Sequence, residues 1–455
     1  MPKAKIIFFC QNCGMQYAQW QGQCRECGEW NAIIDEVTVK KSPYSGTLGF
    51  SKSSPIPTFP TLLSNLSMQA KPRLSTGLSE FDHVLGGGGL VSDSVVLIGG
   101  DPGVGKSTLL LQILSHISKE YSTLYVTGEE SLQQIALRAQ RLRLPQDKLN
   151  LLVETHVEQI LSLTEKMHPK VMVVDSIQTV YTDNVPSTPG GVSQIRESAA
   201  QLAQFAKQKG IVLFIVGHVT KEGAIAGPRV LEHMVDTVLY FEGKNDSCFR
   251  IIRAVKNRFG TVNEIGVFAM SHSGLKQVNN PSAIFLSRYE TPVSGSVITV
   301  TREGSRPLLV EIQALVNESH LVNPRRVSVG LEQNRLSMLL ATLHRHGGVA
   351  TYNQDVFVNA VGGLRITETG ADLAILLAVL SSLHNKPLPL DLIAFGEVGL
   401  AGEIRPVQSG QNRIKEAAKH GFKRVIAPKA NAPKIFPEGM EIITTDKLQT
   451  ILDKI

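Results

Sequence analysis

Gly100-Asp101-Pro102-Gly103-Val104-Gly105-Lys106-Ser107 sets a lysine and a hydroxyl directly after a glycine-spaced loop. The spacing is GxxxxGK[ST]. Glycines let successive backbone N–H groups converge on one anion, and a helix starting at the lysine adds the positive end of its dipole. Such a loop cradles the phosphates of a nucleoside triphosphate. The expected contact set is Gly99, Gly100, Asp101, Pro102, Gly103, Val104, Gly105, Lys106, Ser107 and Thr108. In it Lys106 pairs with the β- and γ-phosphates, Ser107 holds Mg2+, and Thr108 supports the helix start and the α-phosphate. A metal-anchoring acid is expected at a strand end, and Val171-Met172-Val173-Val174-Asp175 supplies one. Hydrolysis also needs a base for water. Glu129, after the apolar run Thr123–Thr127, is the expected base; Glu130 is the alternate, or else an acid favoured by a helix N-terminus.

A second constellation is Cys10-x2-Cys13 with Cys24-x2-Cys27. Each CxxC turn puts two thiolates on one side of a metal, and two turns complete a tetrahedral S4 shell suited to zinc. Gly14, Gly22 and Gly28 allow tight knuckles, and Trp20 and Trp30 are expected to cap the small core. A closed S4 site has no open coordination position, so this module folds, docks or recognises. The fifth cysteine, Cys248, stands apart.

These groups need a scaffold to hold them. Val95–Gly99, Thr123–Thr127, Val171–Val174, Ile211–Gly217 and Thr237–Phe241 read as buried strands. They alternate with helical patterns at Lys106–Lys119, Leu132–Leu142 and Ser193–Lys209. That alternation predicts an α/β fold with a parallel sheet covered on both faces. Val- and Thr-rich strands at Gly295–Val300 and Pro307–Leu315 follow, with helices at Arg335–His346, Ala371–Leu383 and Gln411–His420, predicting a separate α+β domain. The expected organisation is a zinc module over 1–36, a Ser/Pro/Thr-rich linker over 37–70, a P-loop domain over 71–275 and an α+β domain over 285–455. The chain has 455 residues, is 42% hydrophobic and 19% charged, and carries a net charge of +6, too mild a bias to argue nucleic-acid binding by itself. No apolar run approaches a membrane span or a signal peptide, so a cytoplasmic setting without membrane contact is the expectation.

Taken together, the four-cysteine module, Leu74-Ser75-Thr76-Gly77 with Asp82 and Gly86–Gly89, the P-loop Gly99–Thr108, and Lys256-Asn257-Arg258-Phe259-Gly260 resemble the RecA-like ATPases, and within them the bacterial RadA (Sms) family. The resemblance spans nearly the whole chain. It implies a RecA-like core that hydrolyses ATP with Mg2+ in recombinational DNA repair. It further implies a hexameric ring that translocates on single-stranded DNA and drives branch migration of intermediates made by RecA. Lys256 and Arg258 then look like cations supplied to a neighbour's γ-phosphate; the plainer reading is a basic turn in which Gly260 provides backbone freedom. Two loops are expected to face DNA: Tyr181–Arg196, with Arg196, and Val219–His233, with Lys221 and Arg229. Scattered cations of this kind suit backbone contact without sequence readout. His218 is placed near the γ-phosphate, either as a sensor or as a packed histidine.

From about residue 330 the chain resembles the proteolytic domain of Lon, through Arg365–Leu373 and Gly396–Pro406. That chemistry needs a serine activated by a lysine. Glu368-Thr369-Gly370-Ala371-Asp372 has no serine, and Gln411 stands where the lysine is expected, so a peptidase-inactive domain is predicted, with Thr369 as a turn residue. Arg302, Arg306, Arg325, Arg326, Arg345 and Arg365 are candidates for a duplex-facing surface. Two other readings compete: a RecA-like switch acting on protein partners, and an ATP-dependent protease, which the missing serine and lysine oppose.

Overall fold

Short runs of Val, Ile and Leu form the strands that carry the P-loop, because only fully covered strands can be apolar at consecutive positions. The computed structural model describes residues 72–455 except 146, 218–227, 244–247, 288, 434, 436–437 and 453–455. It also describes 5–10, 16–17, 21–24, 28, 30 and 33–38. The chain divides into the units Met1–Ser67 and Met68–Ile455.

In the first unit, β1 (Lys5–Cys10) pairs antiparallel with β2 (Gln16–Tyr17) and β3 (Ile33–Thr38). β3 runs past the expected boundary at residue 36. The rest of the expected linker lies outside the described residues.

In the second unit, β4 (Arg73–Leu74) and β5 (Leu90–Val91) pair around α1 (Ser79–Val84). A sheet of nine strands among the described residues follows: β6 (Val95–Gly99), β7 (Thr123–Thr127), β8 (Leu149–Val153), β9 (Val171–Asp175), β10 (Val212–Val216), β11 (Thr237–Glu242), β12 (Phe249–Asn257), β13 (Ile265–Ser271) and β14 (Gly274–Gln277). Its order is β14-β13-β12-β11-β6-β10-β9-β7-β8, parallel from β11 to β8 and antiparallel beyond. The helices are α2 (Lys106–Ile117), α3 (Leu132–Arg141), α4 (Val157–Met167), α5 (Val192–Lys209) and α6 (Pro228–Glu232). Strand alternation splits the core in two. Val96 and Ile98 join one cluster with α2, while Val95 and Leu97 join another with α5. Each such side chain contributes about 1.5–3 kcal/mol by leaving water.

β6 leads into α2 and then β7, yet its neighbours in the sheet are β10 and β11. In open parallel sheets the crevice beyond the strand C-termini, where such connections diverge, is where ligands bind.

A seven-stranded sheet follows, in the order β17-β18-β16-β15-β19-β22-β23. It comprises β15 (Ser296–Glu303), β16 (Arg306–Glu318), β17 (Arg326–Val329), β18 (Gln354–Ala360), β19 (Leu392–Ala394), β22 (Arg424–Pro428) and β23 (Glu441–Thr445); β20 (Glu397–Val398) and β21 (Ile404–Arg405) pair apart. It carries α7 (Gln333–Gly347), α8 (Asp372–Leu383), α9 (Gly410–Lys419) and α10 (Leu448–Leu452). α8 is apolar nearly all round and almost wholly buried, as such a helix must be. Three contacts tie the β15–β16 turn to the nine-stranded sheet and α1. Arg306 pairs with Glu80 at 2.9 Å, Arg253 with Glu303, and the Ser305 N–H donates to Glu264 at 2.9 Å.

Candidate active site

The P-loop joins the C-terminal end of β6 to the N-terminus of α2. Gly100, Gly103 and Gly105 have φ of 148°, 77° and 118°, and a Cβ on Gly100 would lie 2.8 Å from that of Phe241. Only glycine suits that position. No side chain caps the start of α2, which leaves its first N–H groups for an anion. Lys106 is buried and donates to the carbonyls of Gly100 (2.7 Å) and Asp101 (2.9 Å). Burial pushes its ammonium below the ordinary lysine range, while Asp175, Asp101 and Glu129 act the other way. A bound phosphate would replace those two carbonyls as acceptor.

Asp175 ends β9 beside the P-loop. Its carboxylate accepts hydrogen bonds from the Ser107 and Tyr125 hydroxyls, which lower its pKa, but burial outweighs them and raises it. A hard cation shared by Ser107 and Asp175 fits this oxygen donor set. Tyr125 on β7 was not legible as a site residue: it sits in an apolar strand, and only the parallel register Thr127↔Asp175 brings β7 against β9. The two carboxylates at the β7 end separate. Glu130 pairs with Arg138 on α3, and Ser176, next to Asp175, donates to Glu129. The Glu129 charge also acts on both Lys106 and Asp175.

Lys256 and Arg258 lie elsewhere. β12 runs antiparallel to β11, so Lys256 faces Val238 and Asn257 faces Thr237, near the start of β6. The Arg258 N–H reaches Asp236 O, and the Asp236 N–H reaches Val95 O. The run from Val95 to Gly99 spans roughly 13 Å at about 3.3 Å per residue. These cations therefore lie at the N-terminal end of β6, the end of the sheet opposite their own P-loop. Asn257 Oδ1 accepts from the Phe259 N–H at 3.0 Å, and Phe259 O accepts from Arg73 at 2.7 Å. The backbone-freedom reading of Gly260 is corrected here. Gly260 is not among the positive-φ residues; a Cβ on it would lie 2.6 Å from Gly86 Cα. Close approach of two backbones requires it.

Of the DNA candidates, Lys221 and His218 lie outside the described residues; Arg229 falls on α6, with its side chain outside them. Arg196 is exposed, but in the first turns of α5 rather than in a loop, because the helix already starts at Val192. The preceding segment is pinned by buried Gln194, which bonds Thr182, Val185 and Ser187 backbone groups. Among the six arginines suggested for duplex DNA, three are engaged internally: Arg306 by Glu80, Arg302 by Gly304 O and Gln408, and Arg326 by Thr351 O and Gln354 O.

Of the cysteines, Cys13 and Cys27 lie outside the described residues and Cys10 is described only as part of β1. Cys24 is buried, and the Gly28 N–H closes a turn on Cys24 O at 2.9 Å with Gly28 at φ 73°. A turn of that form at Cys24 is compatible with a metal knuckle. The capping role expected of Trp30 fails, since it is 69% exposed; Trp20 lies outside the described residues. In the C-terminal region Thr369 donates to Glu397 (2.7 Å), Arg413 makes two bonds to Glu368 (2.7 and 2.6 Å), and Arg335 pairs with Asp372.

Residues 73–224 match the family model for an AAA domain, residues 310–431 that for subunit ChlI of Mg-chelatase, and residues 8–35 that for a rubredoxin metal binding domain. DNA repair protein RadA of Pseudomonas aeruginosa is 58% identical, over 100% of this chain and 99% of that protein. DNA repair protein RadA of Escherichia coli is 57% identical, over 99% of each. The protein of the same name in Bacillus subtilis is 50% identical, over 97% of each. Among solved structures, the KaiC-like protein PH0186 of Pyrococcus horikoshii aligns with 46% of this chain and all of its own at 19% identity, with a TM-score of 0.39, too low to carry a fold argument.

Proposed function

The chain belongs to the RadA family of DNA repair proteins, and from that premise we propose that it is a DNA-dependent ATPase of recombinational repair. It translocates on single-stranded DNA as a ring, hexameric by family resemblance, and drives branch migration of branched intermediates formed by RecA in the cytoplasm. Among the described residues no helix is long and apolar enough to cross a membrane.

One observation carries the ring reading: Lys256 and Arg258 stand at the strand end opposite their own P-loop, which suits contact with a nucleotide held by another copy. In each site Lys106 leaves the Gly100 and Asp101 carbonyls for the phosphates, and the α2 N-terminus binds them. Ser107 and Asp175 would hold Mg2+, which supplies charge neutralisation on the phosphate oxygens. Glu129 takes the proton from the attacking water; the Glu130–Arg138 pair supports this choice by occupying the alternate acid. The neighbour's Lys256 and Arg258 stabilise charge that develops on the γ-phosphate. Arg196, Lys221 and Arg229 contact the DNA backbone. Cys10, Cys13, Cys24 and Cys27 hold a structural zinc. The C-terminal domain serves as a scaffold without peptidase activity.

Steady-state ATP hydrolysis with and without single-stranded DNA tests this, with wild type beside Lys106→Ala and Lys256→Ala. Strong stimulation by DNA, lost in both variants, is expected. Hydrolysis indifferent to DNA but abolished by Lys106→Ala would replace the motor with a switch acting on protein partners.

A further inference from the structure

Asp236 has no place in the chemistry described above, yet it bonds to β6, to α5 and to Arg258 after β12. It is buried, just before β11. Its Oδ2 accepts from the Val95 N–H (3.1 Å), fixing the carboxylate to the first residue of the P-loop strand. Its Oδ1 accepts from Arg258 Nη1 (3.1 Å) and from Lys207 Nζ (3.1 Å) on α5. The backbone before it holds the other cation: Lys256 Nζ donates to Glu232 O (2.6 Å) and Val235 O (2.8 Å).

Both cations are tethered with donors to spare. A guanidinium has five N–H donors and an ammonium three. Arg258 is 55% exposed and gives one donor to Asp236; Lys256 gives two to carbonyls. An arginine on an exposed turn would otherwise sample many rotamers. Held by a buried carboxylate, it is restricted in orientation, with its remaining donors unpaired among the described residues, and such preorganised donors act on developing charge without reorganising during reaction. Asp236 also makes the pair compatible. Burial first, and then Arg258, push the Lys256 ammonium below its ordinary range, and Asp236 opposes both.

We propose that Asp236 is a positioning residue: its carboxylate aims Arg258, and the adjoining Val235 and Glu232 carbonyls aim Lys256, at the nucleotide of a neighbouring copy. Glu232 closes α6, so the position of that helix bears on the position of Lys256. The inference rests on the trans reading of these cations under the proposed function and deepens it.

The experiment uses the full-length protein carrying Asp236→Asn, which keeps an oxygen for the Val95 N–H and removes the charge. DNA-stimulated kcat is expected to fall roughly tenfold or more, with KM for ATP unchanged, because the P-loop lies at the opposite end of β6. Asp236→Glu, which keeps the charge at altered reach, is the second variant and should show a partial fall. The deciding readout is mixing. Asp236→Asn retains a sound P-loop, and Lys106→Ala retains sound cations. Mixed assemblies should hydrolyse ATP above the sum of the two alone. Lys256→Ala mixed with Lys106→Ala is the control for the trans reading itself. Recovery in the control but not with Asp236→Asn would show a merely structural role and overturn the proposal. Recovery in neither would remove the trans reading and the proposal with it. Wild-type kcat in Asp236→Asn and Asp236→Glu would also overturn it.

Discussion

The P-loop site and the Lon-like region around Glu368–Asp372 both gather carboxylates and cations at the ends of strands and helices, but they treat charge in opposite ways. At the P-loop, among the described residues Lys106 bonds only its own loop's carbonyls, the first turn of α2 is uncapped, and a Cβ at Gly103 would meet nothing within 4 Å. Donors there await a ligand. Around Glu368 the buried charges are closed internally. Arg413, 1% exposed, grips Glu368; Asp372 takes Arg335 and the Val398 N–H; and Thr369 is tied to Glu397. Donors left open mark a binding site, and the same residue types paired off mark a scaffold.

The comparison can be broken most directly at Lys106. Lys106→Ala is expected to lower ATP turnover by at least about 100-fold in a steady-state assay, with the melting temperature nearly unchanged, because the side chain serves a ligand. Residual turnover near wild type would end the open-site account. Glu129→Gln should lower kcat by about 100-fold or more while ATP binding persists. Glu130→Gln, which only loosens a partly exposed ion pair, should change kcat little; reversed effects in the two variants would exchange their roles. On the closed side, Arg413→Ala is expected to lower unfolding free energy by about 3–5 kcal/mol, measured by denaturant titration, by leaving Glu368 without its partner. Stability unchanged in that variant would show that the charge network is ornamental. Gly260→Ala should cost about 1–3 kcal/mol through the clash with Gly86. The smallest effect sharpens the contrast: Thr369→Ser should yield no casein degradation, because Gln411 offers no base.

Local signals made much of this legible. The P-loop is one contiguous segment, so its glycines, Lys106 and Ser107 carry their geometry with them. The strands Val95–Gly99, Thr123–Thr127 and Val171–Asp175 announced themselves by apolar runs that only a doubly covered sheet can bury. The missing serine and lysine near Glu368 and Gln411 were readable one residue at a time. What could not be read depends on residues far apart in sequence. Tyr125 reaches Asp175 through strand register, Arg413 finds Glu368 across the C-terminal domain, and Gly260 needs to be glycine because Gly86 lies against it.

By itself, then, the sequence determined that a phosphate cradle sits between a buried strand and a helix, since a contiguous loop fixes its own dihedrals and dipole. Only the tertiary structure decided which end of the sheet each charge occupies. The order of strands β12, β11 and β6, and the antiparallel pairing of β11 with β12, put Lys256 and Arg258 at the end of the sheet away from their own P-loop. Strand order is set by which faces can be buried together, and that is a property of the packed whole rather than of any segment.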